Sequence, residues 1–482
     1  MHLGSRLFHR HRVAPAALLA ASLAGVSACT VGPRYTAPDA GAAAPSAFAT
    51  GDAALSADAP LDRWWLALGN ATLTSLIERA LTGNPDLATA EARVQQARAL
   101  ARVAGAEFYP SVNAGGQVSE DRFSRHSETL SLVPFVPKTT EFTDFRLGFD
   151  ASWEIDLAGK TRHDVEAAVA RLGGSVESRN DARLVVAADV ADAYIVHQAN
   201  ARRLDIAQRT LDARDETLRL VTLEARAGVA SEADRRRAEA DRLQAAGALP
   251  PLLAERQSAL FELAALTGSA AGTLAGELSG SGDLPAAPTR APVGVPADVL
   301  RRRPDVRQAE RELAAATADV GSSVAAQFPR LTLVGDLGWD SVHTGDLVDA
   351  ASRYWNLTPQ LTVPLFSAGR LRQQVKASEA ARDAALGSYR AAVLRALSDA
   401  ESSIVRFSNE RHREAELAEA SASRHADVDF QRRRFAAGDA SMIEVLGAEL
   451  AMNQAEDEDL ASRAQLARNY VALGKALGGG WQ

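Results

Sequence analysis

The chain has 482 residues, of which 46% are hydrophobic and 24% are charged, and its formal net charge is −8. Its 34 glycines and 19 prolines are close to average usage, which excludes a collagen-like or a globally disordered protein. The net negative charge argues against general nucleic-acid binding, which usually needs a basic face. The length suits two or three ordinary domains, or one long repeated assembly.

The N-terminal residues have the pattern of a secretory signal segment. Residues 1–12 contain a basic head, residues 13–24 are mostly apolar, and Val26-Ser27-Ala28-Cys29 follows at once. An apolar run this short, ending in small residues, predicts a signal peptide over residues 1–28. Because the last four residues resemble a bacterial lipobox, we expect Cys29 to be lipidated and residues 29–70 to form a lipidated N-terminal extended segment. The alternative is an ordinary signal peptide with an incidental cysteine.

The rest of the chain contains two copies of one sequence pattern. Asn84-Pro85-Asp86-Leu87 in the first copy corresponds to Arg303-Pro304-Asp305-Val306 in the second. Further on, Gly228-Val229-Ala230-Ser231 corresponds to Gly438-Asp439-Ala440-Ser441. Matches that follow in the same order predict two internal structural repeats. The predicted bounds are 71–270 for the first repeat, 271–298 for a linker rich in Gly, Pro and Ala, and 299–482 for the second repeat.

Each repeat contains a pair of predicted strands. Every second residue between Phe145 and Ile155 is apolar, and residues 330–340 and 356–365 alternate in the same way. A period of two is typical of a strand that meets different surroundings on its two faces. The predicted strand pairs lie at about residues 110–155 and 328–366, and their loops at 123–142 and 341–354.

These strands have about the ten residues needed to cross a tilted barrel wall. The alternative is a small soluble sandwich whose apolar faces pack on one another. Four strands are too few to close a barrel, because about eight are the minimum. If the strands lie in a membrane, several chains must therefore each contribute four strands.

Two long stretches, residues 161–227 and 370–437, contain no proline. In the first of them Leu204, Leu211 and Leu218 recur every seven residues. This spacing over a proline-free stretch predicts long helices of the coiled-coil type. The alternative is a self-contained soluble coiled-coil bundle.

Both stretches are followed by a glycine and then a serine. Gly228 and Gly438 favour the left-handed turn that ends a helix. Ser231 and Ser441 favour the start of a returning helix. Each repeat is therefore predicted to end in a helical hairpin, with its tip near Gly228 or Gly438.

Short motifs from Cys29 to the C-terminus resemble those of a known family. The most specific is the stretch Val295–Val306, which contains Arg301-Arg302-Arg303-Pro304-Asp305. The others are Cys29–Tyr35, Trp64-Trp65, Trp153–Leu157, Gln327–Pro329, Val363–Phe366, and Ala437-Gly438 followed by Glu444–Leu446. Together they resemble the outer-membrane channel component of tripartite efflux pumps, the TolC-like family, in its lipoprotein branch.

The resemblance implies an α+β membrane protein that forms a homotrimer. Four strands from each chain would make a 12-stranded β-barrel, continuous with a long periplasmic α-helical barrel. The resemblance implies no enzyme activity and no cofactor beyond the covalent lipid on Cys29. The sequence contains no phosphate-binding loop, zinc-protease motif or nucleophile elbow.

The implied function is an outer-membrane exit duct for small molecules. Its implied partners are a periplasmic adaptor protein, an inner-membrane efflux transporter and the lipid of the Gram-negative outer membrane, with no nucleic acid. Two alternatives are a lipid-anchored periplasmic structural or adaptor protein and a channel for protein secretion. The lipobox and the Arg301–Asp305 motif favour efflux.

The resemblance also implies site residues at the hairpin tips. In related proteins, acidic residues six or nine positions after the second tip glycine ring the periplasmic constriction; here these positions hold Glu444 and Gly447. Glu444 is therefore the candidate periplasmic gate residue, with Asp234 the weaker candidate in the first repeat. The glycine puts cation block at the second ring in doubt, and the alternative for Glu444 is a solvated charge paired with a neighbouring arginine. The implied adaptor-docking positions are Gly228, Ser231, Gly438 and Ser441.

Overall fold

The computed structural model describes residues 30–39, 44–51, 55–56, 58, 62–122, 124, 141–280 and 282–481. The predicted signal peptide, Cys29 and most of the loop predicted over 123–142 lie outside the described residues. Within the described part, no helix combines the length and the apolar character that crossing a membrane requires.

Both halves of the chain fold in the same order: two helices, two strands and a long helical hairpin. The first half contains α1 (Ala71–Gly83), α2 (Pro85–Ala106), β1 (Ser111–Arg122), β2 (Glu141–Ile155), α3 (Lys160–Arg226) and α4 (Glu232–Leu266). The second half contains α5 (Pro296–Arg302), α6 (Pro304–Ala325), β3 (Arg330–Ser341), β4 (Arg353–Thr362), α7 (Arg370–Ala437) and α8 (Met442–Ala476). A 3₁₀ helix covers Trp64–Leu68, and the two-residue strands Leu55–Ser56 and Ala291–Pro292 pair in parallel.

The longest helices, α3 and α7, coincide within a residue with the proline-free stretches that predicted them. The predicted end of the last strand was wrong, because β4 ends at Thr362 rather than at Leu365. β3 begins at Arg330, which is opposite Thr362, so β4 has no partner among the described strands beyond that residue. Pro364, which has no N–H to donate, follows two residues later. Leu365 and Phe366 beyond the strand are 92% and 90% exposed.

The four strands form one antiparallel sheet in the order β1-β2-β3-β4. The two halves of the chain meet between β2 and β3, where Phe149 is opposite Leu337. Ala114 on β1 and Trp355 on β4 complete this row. Because side chains alternate along a strand, every second residue in register with this row lies on one face, which we call the apolar face. The polar face is the opposite one, and one of its rows is Asn113, Asp150, Asp336 and Asn356.

The chain divides into two compact units, each of which draws on both halves of the sequence. The first unit contains the sheet and comprises residues up to Ala37, Gln96–Gly173 and Arg311–Gly387. The second comprises Pro38–Gln95, Gly174–Glu310 and Ser388–Gln482. These bounds differ from those of the sequence repeats, because strand pairing and helix packing both join residues from the two halves.

The apolar core of the second unit is built around Trp64 and Trp65. Their rings meet edge to face with centroids 5.6 Å apart, and both residues are buried. Gly474 and Gly480 leave the space that the Trp64 ring fills, because a Cβ atom on either would lie less than 3 Å from it. Other large buried side chains of this core are Leu73, Leu76, Ile77, Tyr194, Ile195, Leu263, Ile404, Phe407 and Leu473.

The segment predicted as a linker packs onto this core. Leu274, Leu278, Ala291 and Val293 are all buried, and Ala291 pairs with Leu55 in the short parallel bridge. The Gly, Pro and Ala content of the segment predicted a linker but gave no sign of burial. The reason is that scattered apolar residues acquire a buried face only from the elements around them.

In the first unit, the first described residues are hydrogen-bonded to the start of α3 and the residues just before it. Val31 N–H donates to the Ala158 carbonyl at 3.0 Å, and the Val31 carbonyl accepts from His163 Nε2 at 2.9 Å. Gly32 has a φ of 108° and approaches Gly321 so closely that a Cβ atom on it would lie 2.8 Å from the Gly321 Cα. This approach requires glycine at position 32 for both conformation and space.

We expect Gly474→Ala to lower the free energy of unfolding by about 1–3 kcal/mol, because the new methyl group overlaps the Trp64 ring. Gly447→Ala on the same helix is the matched control, since a Cβ atom there meets nothing within 4 Å. This control is expected to stabilise α8 by up to about 1 kcal/mol through helix propensity. Denaturant unfolding of both variants measures the difference, and equal destabilisation by both would contradict the packing described here.

His197 is a buried histidine whose protonation opposes folding. It is 1% exposed, and its Nδ1 has no hydrogen-bond partner among the described residues. Burial, and to a lesser degree the charge of Arg256, lowers its pKa from 6.5 to about 4. At a pH between about 4 and 6.5, the His197 ring stays neutral in the folded chain, whereas it binds a proton in the unfolded chain.

The stability contributed by a neutral His197 is therefore complete above pH 6.5 and is lost as the pH falls toward 4. The loss reaches about 3 kcal/mol at most. His197→Gln is expected to reduce this pH dependence, and His412→Gln, which changes an exposed histidine, is expected to leave it unchanged. Unfolding free energies at pH 7 and at about pH 4.5 test this; a wild-type slope in His197→Gln would show that another group is responsible.

Candidate functional site

The first hairpin tip joins α3 to α4 through a tight turn. Gly228 adopts a left-handed conformation with φ of 74°, and the following Val229 N–H donates back to the Glu224 carbonyl at 2.9 Å. Ser231 then caps α4: its Oγ accepts from the Asp234 N–H at 3.1 Å, and Asp234 Oδ2 accepts from the Ser231 N–H at 3.1 Å. The glycine and the serine named from the sequence thus both form the turn.

The second tip, between α7 and α8, has the same conformation. Gly438 has a φ of 84°, and the Asp439 N–H donates back to the Arg434 carbonyl at 2.9 Å. The Glu444 N–H donates to Ser441 Oγ at 3.3 Å, while Glu444 Oε2 accepts from the Ser441 N–H at 2.7 Å. This reciprocal cap fixes Glu444 in the first turn of α8.

The Glu444 carboxylate is charged and half-exposed. The hydrogen bonds from Ser441, and then the charge of Arg434, lower its pKa. Arg434 Nη1 lies 3.7 Å from Glu444 Oε1, so the carboxylate has the arginine neighbour that the alternative interpretation expects. Half of the Glu444 side chain still faces solvent, and the charge remains available at the tip.

Asp234 occupies the equivalent position in the first tip. Its hydrogen bonds with Ser231 lower its pKa, and Arg237 Nη1 lies 3.7 Å from its Oδ1. At each tip, therefore, the carboxylate of the capping box lies beside an arginine. Gly447, one turn after Glu444, adds no acid to the second tip.

Ion pairs fasten the helices of each hairpin to one another. Two pairs join α3 and α4, at 3.1 and 2.8 Å, and a pair at 2.8 Å joins α7 and α8 near the second tip. These pairs are Arg214–Asp241, Arg242–Asp215 and Arg432–Glu449. In the Arg432–Arg434 run, Arg432 therefore lies beside Glu449 and Arg434 lies beside Glu444.

Further from the tips, ion pairs join the two hairpins to each other. Arg203 on α3 binds both carboxylate oxygens of Asp457 on α8, at 2.7 and 2.9 Å. Arg209 pairs with Glu456, which also lies 2.8 Å from His425 Nε2 on α7. Closer to the tips, the described residues of α3 and α8 form no further ion pair with each other. Among the described residues, ion pairs therefore join α3 to α8 at Arg203 and Arg209 but not closer to the tips.

The Arg301–Arg303 run lies in the second unit and is neutralised there. Arg303 pairs with Asp305 at 2.7 Å and with Asp399 at 3.2 Å, and it donates to the Ala476 carbonyl at 3.0 Å. Its side chain is 12% exposed. The arginine therefore ties the start of α6 to α7 and to the end of α8, which is a packing role and leaves no open basic patch here.

The polar face of the sheet carries paired side chains that the sequence alone did not reveal. Asn113 Nδ2 donates to Asp150 Oδ2 at 2.9 Å, and Asn356 Nδ2 donates to Asp336 Oδ1 at 3.3 Å. Period-two alternation assigns each of these residues to a face, but it does not say which residue lies opposite on the next strand. The pairing register between the two halves supplies that information.

Solved structures that share this sheet and these two long helical hairpins are outer-membrane channels. The solved structure of the outer-membrane channel OprN matches with a TM-score of 0.84 and 31% identity, covering 94% of this chain and 100% of that chain. The open state of the Neisseria gonorrhoeae MtrE outer membrane channel matches with a TM-score of 0.76 and 26% identity, covering 94% and 99%.

A similar relative is the pyoverdine export outer membrane protein OpmQ of Pseudomonas putida, which is 34% identical over 450 residues. The match covers 93% of this chain and 94% of OpmQ. Residues 76–269 and 295–479 match the outer membrane efflux protein family, and the chain belongs to that family. The resemblance drawn from the sequence motifs is thereby confirmed: this is an outer-membrane protein that serves as the exit duct of an efflux pump.

Proposed function

We propose that the chain works as a homotrimer whose three sheets close into a 12-stranded barrel in the outer membrane, continuous with a periplasmic helical barrel. The observation that carries this proposal is the pairing of the edge strands. Among the described strands, β1 pairs only with β2 and β4 only with β3. In lipid, unpaired backbone groups at such edges are costly, and closure through neighbouring copies removes them. Because β1 and β4 run in opposite directions, the antiparallel order continues from one copy to the next.

Exposure on the apolar face supports contact with lipid. On β4, Trp355, Leu357 and Leu361 are between 59% and 77% exposed, and on β1 Val112 and Val118 are 63% and 67% exposed. A contiguous apolar surface of this kind marks an interaction site rather than a surface facing water. The opposite face, with its paired Asn and Asp side chains, suits the wall of a water-filled passage.

We assign passive conduction of small molecules to this duct, with a periplasmic adaptor and an inner-membrane transporter as its partners. The hairpin tips are the proposed adaptor-docking positions, at Gly228 with Ser231 and at Gly438 with Ser441. Each tip is held rigid by its turn and its capping box, and Val229 at the first tip is 78% exposed. A rigid exposed turn binds a partner with little loss of conformational entropy.

Lipidation of Cys29 is part of the same proposal. The residues that follow it, Val31 and Gly32, are fastened to the junction between β2 and α3. Incorporation of labelled palmitate into the wild-type chain but not into Cys29→Ser tests the assignment, and equal labelling of both would refute it.

The proposed periplasmic gate contains Glu444 from each of three copies, with Asp234 as a second contributor. Like charges brought together at a symmetry axis repel each other and attract cations. The half-exposed position of Glu444 supports this role, because its capping hydrogen bonds leave part of the carboxylate facing solvent.

Glu444→Gln separates the gate charge from the helix cap, because glutamine also closes a capping box. We expect block of the single-channel current by Mg²⁺ to weaken in this variant, and Asp234→Asn, the matched change in the first tip, to weaken it less. Planar-bilayer recordings of the purified protein measure both. Unchanged block in Glu444→Gln would remove Glu444 from the gate, whereas a wild-type protein that carries no current at all would contradict the duct itself.

A further inference from the structure

Tyr354 lies flat across the polar face, near the end of the sheet that is remote from the helices. In the strand register it is opposite Gly338 on β3, which is opposite Gly148 on β2. Neighbouring strands are about 4.8 Å apart, so a side chain that starts on β4 must cross the whole of β3 to reach β2. The Tyr354 hydroxyl does so, since it lies 3.2 Å from the position that a Cβ atom on Gly148 would occupy.

The floor under the Tyr354 ring consists of two glycines. Gly338 is the buried residue of β3, whose other residues are exposed or half-exposed. A Cβ atom on Gly338 would lie 2.4 Å from the Leu147 carbonyl oxygen, so a side chain has no room there. Gly115, in the same row on β1, has open space around it. The tight floor is therefore confined to the strands that the ring covers.

Arg146 holds the ring from the other side. Its guanidinium carbon lies 5.4 Å from the centroid of the Tyr354 ring, and its Nη2 donates to Asp340 Oδ2 at 2.8 Å. Arg146 and Asp340 are directly opposite each other on β2 and β3, one polar-face row beyond the glycines. Cation–π attraction and a charge-assisted hydrogen bond thus fix the ring in the plane of the sheet.

We propose that this brace of Tyr354, Arg146 and Asp340 sets the width of the outer opening of the duct by keeping three aromatic rings out of the passage. The inference rests on the proposed function, in which the polar face lines the passage and the strand ends remote from the helices face the outside. Without Arg146, the cation–π contact that keeps the Tyr354 ring against the sheet is lost. Rotation about the Tyr354 side-chain bonds then carries the ring into the passage. Three such rings at one level obstruct bulky solutes and leave small ones unaffected.

A cysteine reporter on the polar face measures this width. Thr358→Cys places an exposed thiol of similar size four residues from Tyr354, on the side of the helices, so a reagent entering from outside must first pass the brace. Cys29 is the one native cysteine, and cells with the unsubstituted chain give the background. Whole cells are labelled with a bulky polymer-linked maleimide that does not cross membranes and, separately, with N-ethylmaleimide.

In the Thr358→Cys background, Arg146→Ala is expected to slow labelling by the bulky reagent severalfold and to leave labelling by N-ethylmaleimide unchanged. Adding Tyr354→Ala removes the freed ring and is expected to restore the original rate. Tyr354→Phe keeps the stacked ring and should behave as the parent. Arg330→Ala is the matched control, because it removes a charge from the same face on β3 without touching the ring.

An unchanged rate in Arg146→Ala, or a slow rate that persists when Tyr354→Ala is added, would overturn the brace. If Arg146→Ala fails to assemble, Arg146→Gln takes its place, since it keeps a hydrogen-bond donor for Asp340 but has no charge over the ring. A Thr358→Cys thiol that neither reagent reaches from outside would contradict the proposed function itself. The two failures are thus distinguishable.

Discussion

The edges of the sheet are the constraint on which the rest of the structure depends. A strand edge leaves backbone amides and carbonyls without partners, and within lipid each such group costs several kcal/mol. Among the described residues, this sheet has four strands and therefore two such edges, on β1 and β4. The proposed closure through neighbouring copies would satisfy both edges, and it would also account for the alternation along each strand, because it puts lipid on one face of the sheet and water on the other.

The helical hairpins are held by helix packing and ion pairs rather than by strand pairing. Single surface ion pairs contribute about 0–1 kcal/mol each to stability. The pairs along α3, α4, α7 and α8 therefore matter more for which helices they join than for the stability they add. Arg203 and Arg209 join the two hairpins through Asp457 and Glu456. Closer to the tips, the ion pairs between helices in the described part of the chain join only the two helices of the same hairpin. Each tip is thus held by its own turn, cap and ion pairs, and the described residues form no ion pair between the two tips.

Local features could be predicted from the sequence, and long-range ones could not. Gly228 and Ser231 specify a helix end and a helix start from their own chemistry, so the tip was predictable to the residue. The end of β4 was misjudged because apolar alternation continues to Leu365, whereas the partner strand β3 begins opposite Thr362. The partners of Tyr354 come from β2 and β3, and only the register between the two halves of the chain brings them together. The packing role of Arg303 was hidden for the same reason, because its partners lie on distant helices.

The most direct test of closure through neighbouring copies is to measure the mass of the detergent-solubilised protein and its current in a planar bilayer on one preparation. We predict a trimer that conducts in discrete steps, because in the proposed assembly three sheets pair every strand edge and enclose a passage. A monomer that carries no current would contradict closure through neighbouring copies.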